Sequence, residues 1–511
     1  MEEQRVKKVV VTGGGTAGWV CAVALVKHFG ELLDITLVES EEIGTVGVGE
    51  ATFPSILAFH RLIDLDEREF MRESKASFKL GISFENWGGL GDRYMHAFGT
   101  VGKSTWMGDF QHFWLAARAD GFGGNLGEYC FENAAALAGK FAMSEKVKIN
   151  YAYHFDAGLY SAFLRKISEA KGVKRVEGKI SRVEQDPESG FVKALVLESG
   201  QSVSGDLFLD CSGFRGLLIE QTLKTGFEDW SQWLKTDRAL AVQTPAMEAV
   251  PPYTRAIARQ AGWQWRIPLQ HRVGNGLVFC SPYLSEDEAR HTLLSNLEGP
   301  ALFEPRLLKF KAGRRLQAWN KNVVSIGLAS GFIEPLESTS IHLIQIGITR
   351  LMQLFPFGGF NPTLAQRYND QSRVEFEKIR DFIILHYKLT ERDDTPFWRD
   401  CRDMEIPASL TERIELFRET AMAYQATDEL FRVDSWMQVM IGQRLYPRSY
   451  HQMGRMLGPE RLRKALDTLQ SSIAGAVARM PTHGEFLEAF CAGTSGDYAH
   501  LMNPAMVSST G

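Results

Sequence analysis

Apolar and polar residues alternate in "ASFKLGISFENW", residues 76–87. Phe78, Leu80, Ile82 and Phe84 fall on one face of an extended chain, and Lys79, Gly81 and Ser83 on the other. The pattern predicts a strand with one face on a core and Lys79 turned to water, its stem resting on apolar neighbours. Near the N-terminus, "VKKVVVTGGGTAGWVCAVALVKHFG" reads as a strand, a glycine turn and a helix, and "DITLVES" as a second strand ending at Glu39. "GKISRVEQD", "FVKALVLESG" and "GDLFLDCSG" follow as further strands. Strand signals recur around "WQWRIPLQ", "GLVFCSPYL" and "NVVSIGLASG", and "STSIHLIQIGITRLMQLF" reads as a largely buried helix. Helical patterns dominate from about residue 365.

A strand–helix–strand opening implies a parallel sheet in an α/β fold. Later strands are expected to return to that sheet after an insertion, so the domains are discontinuous in sequence. The expected division gives one domain to 1–90, 150–240 and 300–365. A second region takes 91–149 and 241–299, and a C-terminal helical region takes 366–511.

Charge changes the picture only by exclusion. The 511 residues carry 57 Lys and Arg against 62 Asp and Glu, a net charge of −5. That balance gives no reason to expect nucleic acid or an anionic membrane as partner. The opening "MEEQRVKKVVVTGGG" lacks the apolar core of a signal peptide, and no apolar run is long enough to span a bilayer. The six cysteines are scattered, without a C-x-x-C. A disulfide framework or cysteine zinc site is not expected, nor is any other metal site. A cytoplasmic protein with reduced thiols is the expectation.

The first chemistry is in "GGGTAG", where Gly13, Gly15 and Gly18 fit G-x-G-x-x-G between a strand and a helix. The first glycine permits the tight turn, the second lets backbone approach a pyrophosphate, and the third permits close helix–strand packing. The helix start offers free N–H groups to phosphate. Glu39 closes the next strand about 20 residues on, the place of an acid that binds ribose hydroxyls. A second cluster, "GTVGVGEAT", offers more backbone to a flat cofactor, and "DLFLDCSGFRG" resembles a strand and turn of FAD enzymes. FAD is therefore favoured. Further candidate cofactor contacts are Thr16, Ala17, Val48, Gly49, Val183, Leu328 and Ile341.

In "EPLESTSIHL", Glu334 and Glu337 stand just ahead of a helix, with Ser338, Thr339 and Ser340 at its first turn. Plain capping by these hydroxyls, with Glu337 offsetting the helix end, is one reading. A small-anion site on the N–H groups is the other.

These residues together resemble the flavin-dependent halogenases of the tryptophan-halogenase type. The matching features are "GGGTAGW", Lys79 in "FKLG" after "GVGEAT", "WQWRIP" as the W-x-W-x-I-P motif, and "EPLESTSI". The resemblance implies a Rossmann-like FAD-binding sheet domain with an inserted substrate region and a C-terminal helical lid. It implies a separate reductase that supplies reduced FAD. A flavin hydroperoxide would then oxidise bound chloride or bromide to hypohalous acid. That acid would travel through a tunnel to Lys79, which hydrogen-bonds it or carries it as a haloamine towards an electron-rich aromatic ring. Glu337 matches the catalytic glutamate. Backbone N–H groups of Thr339 and Ser340 match the halide site, where the family often has glycine at position 340. His96 and Phe98 match residues that sandwich indole. Trp263 and Trp265, two apart on a strand, share a face and would keep substrate from the flavin. A homodimer is compatible with the sequence.

One departure bears on the substrate. Enzymes that halogenate free tryptophan carry a tyrosine pair and a glutamate in the C-terminal region, and Ser435, Trp436 and Gly442 stand there instead. The amino-acid clamp is absent, which favours indole or a substituted indole and attack at its C3. An aromatic hydroxylase is the alternative, but such enzymes carry Gly-Asp where "SIGLASGFIEP" has Gly327 and Leu328. A nucleotide-binding protein without catalysis would leave Lys79 and Glu337 idle.

Overall fold

The structure, a computed structural model, describes residues 5–42, 49–105, 108–143 and 149–492. The chain forms two units, each assembled from three stretches. The first comprises Met1–Ala76, Phe155–Asp237 and Lys309–Glu377, and the second Ser77–His154, Arg238–Leu308 and Lys378–Gly511. The C-terminal helices are thus no third region: from Lys378 they belong to the second unit. Lys79, placed by its sequence neighbours in the nucleotide domain, belongs to the second unit too.

In the first unit six strands form one sheet. Their order is Trp319–Asn320, Val323–Ser325, Leu207–Asp210, Lys8–Thr12, Asp34–Glu39 and Lys174–Glu177. All neighbours pair in parallel except Trp319–Asn320 with Val323–Ser325 at one edge, which pair antiparallel. Val9, Val10 and Val11 of the central strand are buried, the continuous apolar run that a sheet covered on both faces requires. The helix Thr16–Phe29 leaves that strand and buries every residue from Gly18 to Val26. "GKISRVEQD" and "FVKALVLESG" do not enter this sheet. They pair antiparallel as Ile180–Gln185 and Val192–Leu197 in a separate three-stranded sheet. Leu195 and Val183 of that sheet pack with Val10, Val38 and Phe208 of the main one.

The second unit is built on a seven-stranded sheet. Its inner strands Gly262–Pro268 and Arg272–Phe279 are buried at every residue. Helices Pro396–Asp403, Ala408–Thr420, Val433–Gly442, Pro459–Ala478 and His483–Ala492 complete it. The alternating run around Lys79 is two strands, not one. Ser77–Lys79 pairs with Ala152–His154, and Gly81–Glu85 joins the seven-stranded sheet. The change of sheet occurs at Leu80, whose N–H donates to the Pro252 carbonyl (2.7 Å) and whose carbonyl accepts from Phe98 N–H (2.9 Å).

Candidate active site

The glycine turn has the form its sequence requires. Gly13 sits at φ +111°, in the left-handed region, where a Cβ would strike the Cys211 carbonyl. A Cβ on Gly18 would strike the Gly13 carbonyl, so the third glycine lets the helix close on the strand. At Gly15, by contrast, an added Cβ would meet only open space. Gly15 is also the N-cap of the Thr16–Phe29 helix, whose first N–H groups receive no side-chain cap. Open space before a free helix start fits a pyrophosphate.

The remaining cofactor candidates of the first unit divide by environment. Glu39 leans its carboxylate over Gly14 and accepts from Arg175 Nε at 2.5 Å, with Arg165 at 3.8 Å. Sequence reading missed both arginines, because they lie on later elements and belong to no motif. Thr16 Oγ1 is 3.1 Å from Ser161 Oγ. Gly327, at φ +71°, brings its backbone against the Ala17 side chain, and Leu328 follows in the same short turn. Ile341 is buried in the helix Ser340–Gln353. Val183 packs its side chain into the apolar cluster beneath its sheet. Val48 lies outside the described residues, whereas Gly49 opens the short strand Gly49–Ala51. Half-buried Glu50 in that strand is a further candidate: burial pushes its carboxyl up to about 7.

The segment "EPLESTS" is strained. Glu334 (φ +52°) and Ser338 (φ +61°) both adopt left-handed backbone without being glycine. Such strain persists only where surroundings over-determine it, and it gathers at functional sites. Here Thr236 Oγ1 donates to Glu334 at 2.7 Å, and Ser338 N–H donates to the Pro335 carbonyl at 3.0 Å. Glu337 between them is wholly buried. Capping by the Thr339 hydroxyl, part of one of the two readings of this segment, does not occur. Thr339 is the N-cap of Ser340–Gln353, but its backbone is helical (φ −89°, ψ −9°) and its side chain caps no N–H. An N-cap folds its oxygen back from an extended backbone. The first turn is held from the side instead: His342 lies 3.0 Å from Ser55 Oγ and 2.9 Å from Glu375, which also accepts from Arg350 at 3.1 Å.

In the second unit Lys79 is wholly buried, which overturns the solvated reading. Its Nζ lies 5.2 Å from the centre of the Phe98 ring. His96 and Phe98 meet edge to face (6.3 Å), so three sequence candidates come together. The segment bearing them is fixed by a residue the sequence reading missed. The amide of Gln438, on helix Val433–Gly442, accepts from Ala97 N–H (3.1 Å) and donates to the Ala97 carbonyl (3.0 Å). It acts as one more strand beside Arg93–Ala97.

Two of the positions where the sequence reading looked for a clamp, Trp436 and Gly442, are closely packed. Trp436 packs edge-on to Phe382 (4.8 Å), beneath the Arg413 guanidinium at 3.8 Å. Arg413 is in turn paired with buried Glu429. At Gly442 any Cβ would run into the ring of Tyr94, which stacks on Phe84 at 5.0 Å. No glutamate fits there. Trp263 and Trp265 share a face as expected, with ring centres 6.2 Å apart and both buried. The Trp265 ring covers Gly276, where a side chain would collide with it.

The six cysteines are free thiols. Among the described residues no helix is long and apolar enough to cross a membrane, and no group of three or more His, Cys, Asp or Glu could hold a metal ion.

Comparison with known proteins gives one family. The tryptophan halogenase family model matches residues 8–459. The tryptophan 6-halogenase SttH of Streptomyces toxytricini is 40% identical over 446 residues, spanning 82% of this chain and 85% of SttH. The tryptophan 7-halogenase RebH of Lentzea aerocolonigenes is 36% identical, over 81% of this chain and 82% of its own. A flavin-dependent halogenase from Xanthomonas campestris superposes with TM-score 0.94 at 52% identity, covering 96% of this chain and 99% of the other. BrvH, a flavin-dependent halogenase from Brevundimonas sp. BAL3, gives TM-score 0.92 at 46% identity, with 95% and 99% covered.

Proposed function

The chain belongs to the tryptophan halogenase family of flavin-dependent halogenases, and from that premise we propose that it halogenates an electron-rich aromatic, indole or a substituted indole, through Lys79. The observation that carries this reading is the Lys79 amine, wholly buried beside the Phe98 ring. Lysine is almost never fully buried without a pairing or chemical reason. A halogen-transfer lysine needs a closed chamber, because free hypohalous acid is indiscriminate.

Members of the family use FAD and halide, need a separate flavin reductase and act on small aromatic substrates. Bound reduced FAD, with oxygen, supplies the oxidation of chloride or bromide to hypohalous acid. This chain's residues do the rest. The Gly13–Gly18 turn and the Thr16–Phe29 helix start hold the pyrophosphate, and Glu39 takes ribose hydroxyls. N–H groups of Thr339 and Ser340 hold the halide at a helix start that the Thr339 side chain does not cap. Lys79 Nζ receives the hypohalous acid, either as a hydrogen bond or as an N–halogen bond formed with loss of water. Phe98 stacks on the aromatic substrate, with His96 behind it. Glu337 takes the proton released when the ring regains aromaticity. Trp263 and Trp265 keep the substrate from the flavin, so oxidant reaches it only by way of Lys79.

Gly442 supports a substrate without an amino-acid group, because the Tyr94 ring occupies the space where the glutamate of a clamp would start. Without it the most nucleophilic carbon, C3 of indole, is the point of attack. The test is a mass spectrum. Protein, indole, FAD, NADH, an unrelated flavin reductase, air and bromide should yield the bromine isotope doublet on indole. A hydroxylated mass would establish the hydroxylase instead.

A further inference from the structure

The strand that carries Lys79 is three residues long and stands at the edge of its sheet. It pairs on one side, with Ala152–His154. On the other side Phe78 N–H donates to Nε2 of His483 at 3.1 Å, across 405 residues of sequence. Nδ1 of the same ring lies 2.8 Å from the Val250 carbonyl oxygen. A backbone N–H can only donate, and a carbonyl can only accept. The ring is therefore neutral, with its proton on Nδ1. Burial agrees, holding His483 down to about 4.

A second histidine acts one residue away. Ser77 spends its single hydroxyl proton on the Pro268 carbonyl (2.6 Å), at the end of the W-x-W-x-I-P strand. Its oxygen then accepts from His154 Nδ1 (3.2 Å), which leaves Nε2 of His154 to accept from Thr254 Oγ1 (2.9 Å). His154 too is neutral, held well below its ordinary range by burial, then by the charge of Lys79 and by His483.

We infer that His483 is a positioning residue for Lys79: a neutral imidazole that stands in for a missing strand and fixes the backbone from which the amine projects. His154 anchors the same strand through Ser77. The inference rests on the halogen-transfer role proposed above for Lys79. The physical need is plain. Lysine has a long flexible stem, and its aim is only as good as the backbone beneath it. A side chain with one acceptor and one donor close together is required at 483. Glutamine offers both, and leucine neither.

The test compares His483→Leu, His483→Gln and Ser77→Ala in the full chain with FAD, reductase, bromide and indole. One readout is amide hydrogen exchange in the peptide spanning Ser77–Lys79. The other is the ratio of bromoindole to free hypobromous acid caught by a dione trap. His483→Leu should speed exchange in that peptide and lower the ratio, by up to roughly 100-fold for an ångström of misplacement. His483→Gln should restore both. Ser77→Ala should shift both in the same direction, which keeps the test open should His483→Leu not fold. Unchanged exchange and ratio in His483→Leu would overturn the inference. Failure of the halogenation reading would show differently: the wild type would make neither bromoindole nor hypobromous acid, while the exchange comparison would still decide whether His483 pins the strand.

Discussion

The Lys79 amine and the Phe98 ring lie 5.2 Å apart in the interior of the second unit. A ring face attracts a cation by about 0.5–2 kcal/mol. On the halogen-transfer role proposed above, the contact keeps the amine where an aromatic substrate can reach it.

Gly442 is limited by Tyr94. Gly442→Ala should cost about 1–3 kcal/mol by overpacking, and Gly442→Glu more, read by thermal or urea denaturation. Restoring a glutamate at this position should not create activity on free tryptophan.

Ser338 holds a left-handed backbone just before the start of the helix Ser340–Gln353, the proposed halide site. Ser338→Val puts a β-branched side chain there and should cost about 1–2 kcal/mol. It should also raise the bromide concentration needed for half-maximal product, because the turn that presents the N–H groups of Thr339 and Ser340 must shift. Melting curves and a bromide titration read the two effects.

Buried neutral histidines make the fold acid-sensitive. Burial holds His60 down to about 3 and His483 to about 4, against an ordinary 6.5. Their contribution is present above about 6.5 and is lost as pH falls towards 4, where the unfolded chain binds protons that the folded chain refuses. For His483 the loss is about 3 kcal/mol at about 1.4 kcal/mol per pH unit. The urea midpoint should fall steeply between pH 6.5 and 4, and less so in His483→Gln.

What the sequence made legible was local. The first strand, the glycine turn and the first helix are spelled out by neighbouring residues, and the structure has them at Lys8–Thr12 and Thr16–Phe29. The helix after "EPLE" and the shared face of Trp263 and Trp265 were readable for the same reason. Lys79 was misread from its own window, because alternation reports one buried face and says nothing about what covers the other. Phe98, His154 and His483 cover or brace that strand from three distant stretches. Glu39 was readable as an acid at a strand end, but its arginine partners come from later elements. Thr339 suggested capping because residue type carries no backbone angle, and with its helical φ and ψ its hydroxyl caps no N–H.

The most direct test of the central claim is Lys79→Ala, assayed with reduced FAD, air, bromide and indole. Flavin reoxidation and hypobromous acid should continue at the wild-type rate, while bromoindole falls by at least roughly 100-fold, the smallest effect expected of a group that acts in the transition state. Bromoindole at the wild-type rate would contradict the account, because the halogen would then reach the ring without the buried amine.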